Sequence, residues 1–137
     1  VTYLVDADIL SEATKPTPDS TVVDWLRTNE PELVVNPIIL GEIRFGIHLL
    51  ASGVRRRKLE KWFQGGVERM HCLPFEAGTG LRWAKLLSDL RIAGRSMAVK
   101  DSLIAATSLE HGLVVATRNV RDFSASGVKL VDPFLAR

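Results

Sequence analysis

Five short apolar runs constrain this chain more than anything else: TYLV at residues 2–5, LVV at 33–35, MHCLPF at 70–75, LVVAT at 113–117 and KLV at 129–131. They are often β-branched and lack polar alternation, the pattern of strands buried on both faces. Longer helical segments separate them. Residues 20–28 open with Ser20, a helix-capping residue, and residues 37–51 open with Pro37, which suits the first helical position. Residues 55–65 and 79–93 are amphipathic, the second ending before Gly94, and 101–111 stops at Gly112. Strands alternating with helices predict an α/β/α sandwich around a mostly parallel sheet of four to five strands. Lys15-Pro16-Thr17-Pro18-Asp19 and Gly65-Gly66 read as surface turns. No repeat, low-complexity tract or linker divides the 137 residues, so a single domain over 1–137 is expected.

Composition narrows the chemistry. The one cysteine, Cys72, excludes an internal disulfide and a cysteine-based zinc site. His48, His71 and His111 lie far apart and match no ligand spacing. No stretch approaches the roughly 18 apolar residues of a membrane span. Asp6 and Asp8 interrupt any leader pattern, and a cytoplasmic location is the expectation. Eighteen basic and sixteen acidic residues give +2, too mild a charge to indicate a nucleic-acid partner by itself.

The placement of the acidic residues says more. Asp6 follows the first apolar run, and ligands of open α/β sheets bind at the carboxyl ends of strands. Asp6 reads equally as the cap of a following helix; Asp8 stands two residues on. In PIILGEIRFGIHLLA the polar residues are Glu42, Arg44 and His48. Arg44 and His48 share a face, whereas Glu42 lies roughly 200° from Arg44, among Ile38, Ile39, Phe45 and Gly46. A carboxylate on a buried face needs a cation or a proton. Asp101 opens the segment DSLIAATSLEH as a cap or a ligand, with small Ala105 and Ser108 leaving room beside it. Asn119 and Asp122 follow LVVAT, again at a carboxyl end. Asp6, Glu42, Asp101 and Asp122 thus come from four elements aimed at one rim. Such a gathering calls for a hard divalent cation, Mg²⁺ or Mn²⁺, of the kind that supports phosphodiester hydrolysis.

The segments YLVDADILSE, LGEIRFG, KDSLIAATSLEHGL and VATRNVRDF, in this order, resemble the PIN-domain ribonucleases of the VapC toxin family over almost the whole chain. The resemblance implies a PIN-like α/β/α fold and a magnesium-dependent endoribonuclease acting on RNA. It also implies a homodimer, neutralised by a cognate VapB-type antitoxin whose C-terminal segment fills the groove. Asp6 and Asp101 match the family's central metal ligands, and Glu42 its second acidic position. The fourth position falls to Asn119, where many relatives carry Asp, or to Asp122. Where relatives commonly read Asp-Thr-Asn, this chain has Asp6-Ala7-Asp8, which loses a hydroxyl and makes Asp8 a candidate additional ligand. Lys100 either neutralises part of the cluster or points to solvent.

Two other functions compete. LVDADIL also resembles the nucleophile motif of haloacid-dehalogenase-like phosphatases, with Asp6 attacking phosphate and Asp8 as acid. VATRNVRDF does not supply the late aspartate pair of that chemistry. Alternatively, Ala7 and Asn119 mark a non-catalytic binding module on the PIN fold. The basic run Arg55-Arg56-Arg57-Lys58, with Lys61 beyond, reads as an RNA-phosphate contact, a solvated helix face or an antitoxin contact. Trp25, Trp62 and Trp83 read as core or dimer-interface residues. Gly78 and Gly80 are a fragment of a dinucleotide fingerprint without its context.

Overall fold

The computed structural model describes residues 1–136. The apolar runs form β1 (Tyr3–Val5), β2 (Leu33–Val35), β3 (His71–Cys72), β4 (Val114–Ala116) and β5 (Lys129–Val131). Every strand pairing is parallel, in the order β3-β2-β1-β4-β5. Parallel neighbours need crossovers, and helices supply them: α1 (Ala7–Glu12), α2 (Ser20–Thr28), α3 (Pro37–His48), α4 (Val54–Gly65), α5 (Ala77–Ile92), α6 (Val99–His111) and α7 (Val120–Phe123). Leu4, Val5, Val35 and Val115 are fully buried at the centre of the core, as expected of strands covered on both faces. Among the described residues no helix is long and apolar enough to cross a membrane.

Helix starts differ from expectation for identifiable reasons. The cap of α2 is Asp19, whose Oδ1 accepts from the N–H groups of Thr21 and Val22 at 2.9 and 3.2 Å, so Ser20 becomes the first helical residue. Asp101 is not the cap of α6. Ala98 occupies that position without a side-chain bond, and Asp101 sits in the first turn. The small residues below it leave no room: Ala105 and Ser108 are buried, and Ser108 Oγ donates to the Leu113 carbonyl at 2.9 Å. Gly112 ends α6 in the left-handed conformation at φ 65°, as its position suggests. The helices α1 and α7 have six and four residues, too few for a periodic pattern to show.

Two polar contacts, one buried and one partly buried, tie the helices to one another. Asn36 is fully buried; its Oδ1 accepts from the Ile39 N–H at 2.9 Å, capping α3, and its Nδ2 donates to Thr107 Oγ1 of α6 at 3.0 Å. Trp83 Nε1 of α5 donates to Ser102 Oγ of α6 at 2.9 Å. Trp25 meets Tyr3 edge-on, with ring centroids 4.9 Å apart, and Trp62 packs against the core, in keeping with a core role.

Candidate active site

The strand order reverses beside β1: the chain goes from β1 to β2 on one side, and β4 enters on the other. Connections leaving β1 and β4 therefore part, opening a crevice at their carboxyl ends. The register pairs Val5 with Ala116, so the next residues, Asp6 and Thr117, emerge side by side. The Asp6 N–H donates to the Ala116 carbonyl at 2.9 Å, extending the ladder into the site.

Asp6 is both a helix cap and the centre of the crevice. It is 4% exposed; Oδ1 accepts from the Ala7 N–H at 2.9 Å and Oδ2 from Thr117 Oγ1 at 2.8 Å. Thr117 in turn accepts from the Asn119 N–H at 3.0 Å. Asp8 extends from the first turn of α1. Its Oδ2 accepts from the Arg118 N–H at 3.3 Å, while its Oδ1 is buried without a partner.

Glu42 lies on α3 in a setting different from the expected buried face. Phe45 is 63% exposed and Leu49 is also open to solvent. The charge that answers Glu42 is Lys100, whose Nζ stands 2.7 Å from Oε2; Oε1 is buried and unpartnered. On the other side of α3, Arg44 pairs with Glu60 at 3.4 Å. Asp101 is half-buried in the first turn of α6, and Asp122 is exposed on α7.

The electrostatics place these carboxylates in one neighbourhood. Burial raises the pKa of Asp6, with a further push from Glu42, against the Thr117 hydrogen bond. Asp8 is pushed up to about 6 by burial and then by Asp6. Asp101 is raised by burial, then by Asp6, with Asp122 and Glu42 adding to the effect. The Glu42 hydrogen bond raises Lys100. Asp6, Asp8, Glu42 and Asp101 thus act on one another, Asp122 acts on Asp101, and Asn119 contributes its backbone N–H and no charge.

Among the described residues no three acidic, histidine or cysteine groups already stand at metal-ligand spacing. The chemistry of these residues nevertheless suits a hard divalent cation: every donor is oxygen, and two buried carboxylate oxygens lack partners. Half of the basic run is committed elsewhere. Arg55 Nη1 donates to the Thr14 carbonyl at 2.9 Å and Arg56 Nη1 to the Leu50 carbonyl at 3.2 Å, leaving Arg57, Lys58 and Lys61 exposed.

The sequence pattern of the PIN domain matches residues 3–127. The chain belongs to the PIN domain family. Among curated relatives, the VapC ribonuclease Y4jK of Sinorhizobium fredii is 30% identical over 96% of each chain. Toxin FitB of Neisseria gonorrhoeae is 31% identical, covering 96% of this chain and 97% of its own. The crystal structure of FitAcB from Neisseria gonorrhoeae superposes with a TM-score of 0.90 at 29% identity, covering 98% of this chain and 99% of that one. The five-stranded parallel sheet with flanking helices is thus the PIN fold, as the resemblance implied. The phosphatase reading loses its ground with this membership.

Sequence reasoning did not single out Thr117 or Asn36. Thr117 ends an apolar run, and only the register of β1 with β4 shows that it holds Asp6. Asn36 had a signal, since a polar residue between an apolar run and Pro37 is a cap pattern.

Proposed function

We propose that this PIN domain is the toxin of a type II toxin–antitoxin pair, a magnesium-dependent endoribonuclease. The observation that carries the reading is the set of buried or half-buried carboxylates at and beside the β1–β4 crevice: Asp6, Asp8 and Asp101 are raised first by burial and then by one another and Glu42, and Asp122 adds to the effect on Asp101. Asp6 and Asp101 would hold Mg²⁺ or Mn²⁺, with Glu42, Asp122 and Asp8 completing the negative rim. When bound, the cation would supply an activated water and Lewis acidity toward a phosphodiester. The residues of the chain do the rest. Thr117 fixes the orientation of Asp6, and Asp122 supplies the charge that Asn119 lacks. Exposed Arg57, Lys58 and Lys61 offer phosphate contacts that draw RNA without reading its sequence.

The relatives named as toxin and ribonuclease support the toxin reading. A partner antitoxin that places an arginine among these carboxylates would bind them through its planar fork. Phe45 of α3 and Leu49 at its C-terminal cap are exposed and would give an apolar surface for a homodimer. The test is cleavage of total RNA by protein freed of any partner, with Mg²⁺, Mn²⁺ or EDTA. Cleavage is expected with either cation, absent in EDTA and absent in Asp101→Asn. Cutting that survives both EDTA and Asp101→Asn would overturn the reading. A folded wild type that bound the cation and cut nothing would favour the non-catalytic module.

A further inference from the structure

Glu42 offers two oxygens, and the structure treats them differently. Oε2 is taken by Lys100 at 2.7 Å, whereas Oε1 is buried with no partner. Lys100 comes from α6, one residue before Asp101, and lies within electrostatic reach of Asp101 and Asp6 as well. The pair bridges α3 and α6, so the ammonium sits at the edge of the crevice beside Glu42. The lysine side chain is 49% exposed and that of Glu42 29%, so the pair lies at the edge of the crevice and not in the core.

We propose that Lys100 is a resident counter-ion that takes the place of one divalent cation beside Glu42, so that this site accepts one metal ion and not two. The inference rests on the metal-dependent reading above and extends it to stoichiometry. Charge alone would admit a second divalent ion, since five carboxylates, one divalent ion and the ammonium still leave a negative rim. What stands against the second ion is position: the ammonium already holds Glu42 Oε2 at 2.7 Å. Lys100 repels an incoming cation, and removing its charge relieves that repulsion without deleting a ligand.

The experiment is calorimetric titration of Mn²⁺ into partner-free protein, paired with native mass spectrometry to count ions. Wild type, Lys100→Arg and Lys100→Met are compared, with melting curves to establish that each is folded. Wild type and Lys100→Arg should take one Mn²⁺. Lys100→Met should take a second; a tighter first ion with no second would overturn the proposal, because loss of any nearby positive charge produces that much. Two ions in the wild type would overturn the proposal, as would Lys100→Met binding like the wild type. Weaker binding by Lys100→Met would also overturn it, because the lysine would then be holding Glu42 in place for the metal. These results leave the metal-dependent reading standing, whereas no Mn²⁺ binding by any variant would remove both.

Discussion

At the scale of single residues, the site is built by opposing shifts. Asp8 has its carboxyl pushed up to about 6 from an ordinary 3.8, so folding disfavours its charged form. Its contribution to stability is therefore gained as pH falls through 6, and is fully present below 3.8. Glu12 runs the other way. Its carboxylate pairs with Lys15 at 2.8 Å and accepts from the Asp19 N–H at 2.9 Å, which lowers its pKa below the ordinary 4.5. That stability is present above 4.5 and is lost as pH falls through the folded value. In EDTA the protein should thus melt higher at pH 5 than at pH 7, and Asp8→Asn should shrink the difference. Melting temperatures that fall steadily from pH 7 to pH 5 would contradict this. Thr117 gives a second residue-scale prediction. Removing its hydroxyl leaves Asp6 Oδ2 buried without a donor, a loss of roughly 1.5–3 kcal/mol for a bond to a charged group. Thr117→Val should be destabilised by about that much in urea at pH 7 and should cleave RNA more slowly, while Thr117→Ser should recover both.

Elements decide whether those residues meet. Glu42 rides on α3 and Asp101 on α6, and the buried Asn36–Thr107 bond ties the two helices together. Asn36→Ala removes a cap worth about 1 kcal/mol and takes the donor from the Thr107 oxygen, whose hydroxyl keeps its bond to the Leu103 carbonyl at 3.1 Å. We expect roughly 2 kcal/mol of destabilisation in urea, with Mn²⁺ affinity reduced in the folded protein because the carboxylates lose their spacing. Unchanged Mn²⁺ affinity would confine Asn36 to a capping role. Much at this scale was legible beforehand: each apolar run contains a strand, and the stops at Gly94 and Gly112 hold to within two residues. What was not legible depended on contacts distant in sequence. The face of Glu42 looked buried because Ile38, Phe45 and Gly46 are apolar, yet apolar residues can equally face solvent or a partner, and here Phe45 does. The true cap of α6 was hidden for a related reason: Ala98 makes no capping bond, and that helix gains its anchorage from Trp83 and from Asn36 instead.

For the molecule as a whole, the acidic crevice is a defect in stability that the core must outweigh. The carboxyl ends of parallel strands at a reversal of strand order supply the location, which explains why the site's position was readable from the strand pattern alone. Its cost was not, because repulsion depends on which helices bring the charges together. Asp101 shows the balance. In the first turn of α6 its charge gains roughly 0.3–1 kcal/mol from the helix dipole, yet its pKa is raised, so burial and the neighbouring Asp6 outweigh that gain. The neutral Asp101→Asn should therefore be the more stable protein in EDTA. Each kcal/mol relieved should read as roughly 3–5 °C in melting temperature for a chain of this size. Adding Mn²⁺ should reverse the ranking, since an ion that binds only the folded wild type stabilises it in proportion to the logarithm of its concentration. Asp101→Asn should gain little. Melting curves of both proteins across a Mn²⁺ series should therefore cross. Curves that stay parallel from EDTA to millimolar Mn²⁺ would mean that Asp101 does not hold the ion.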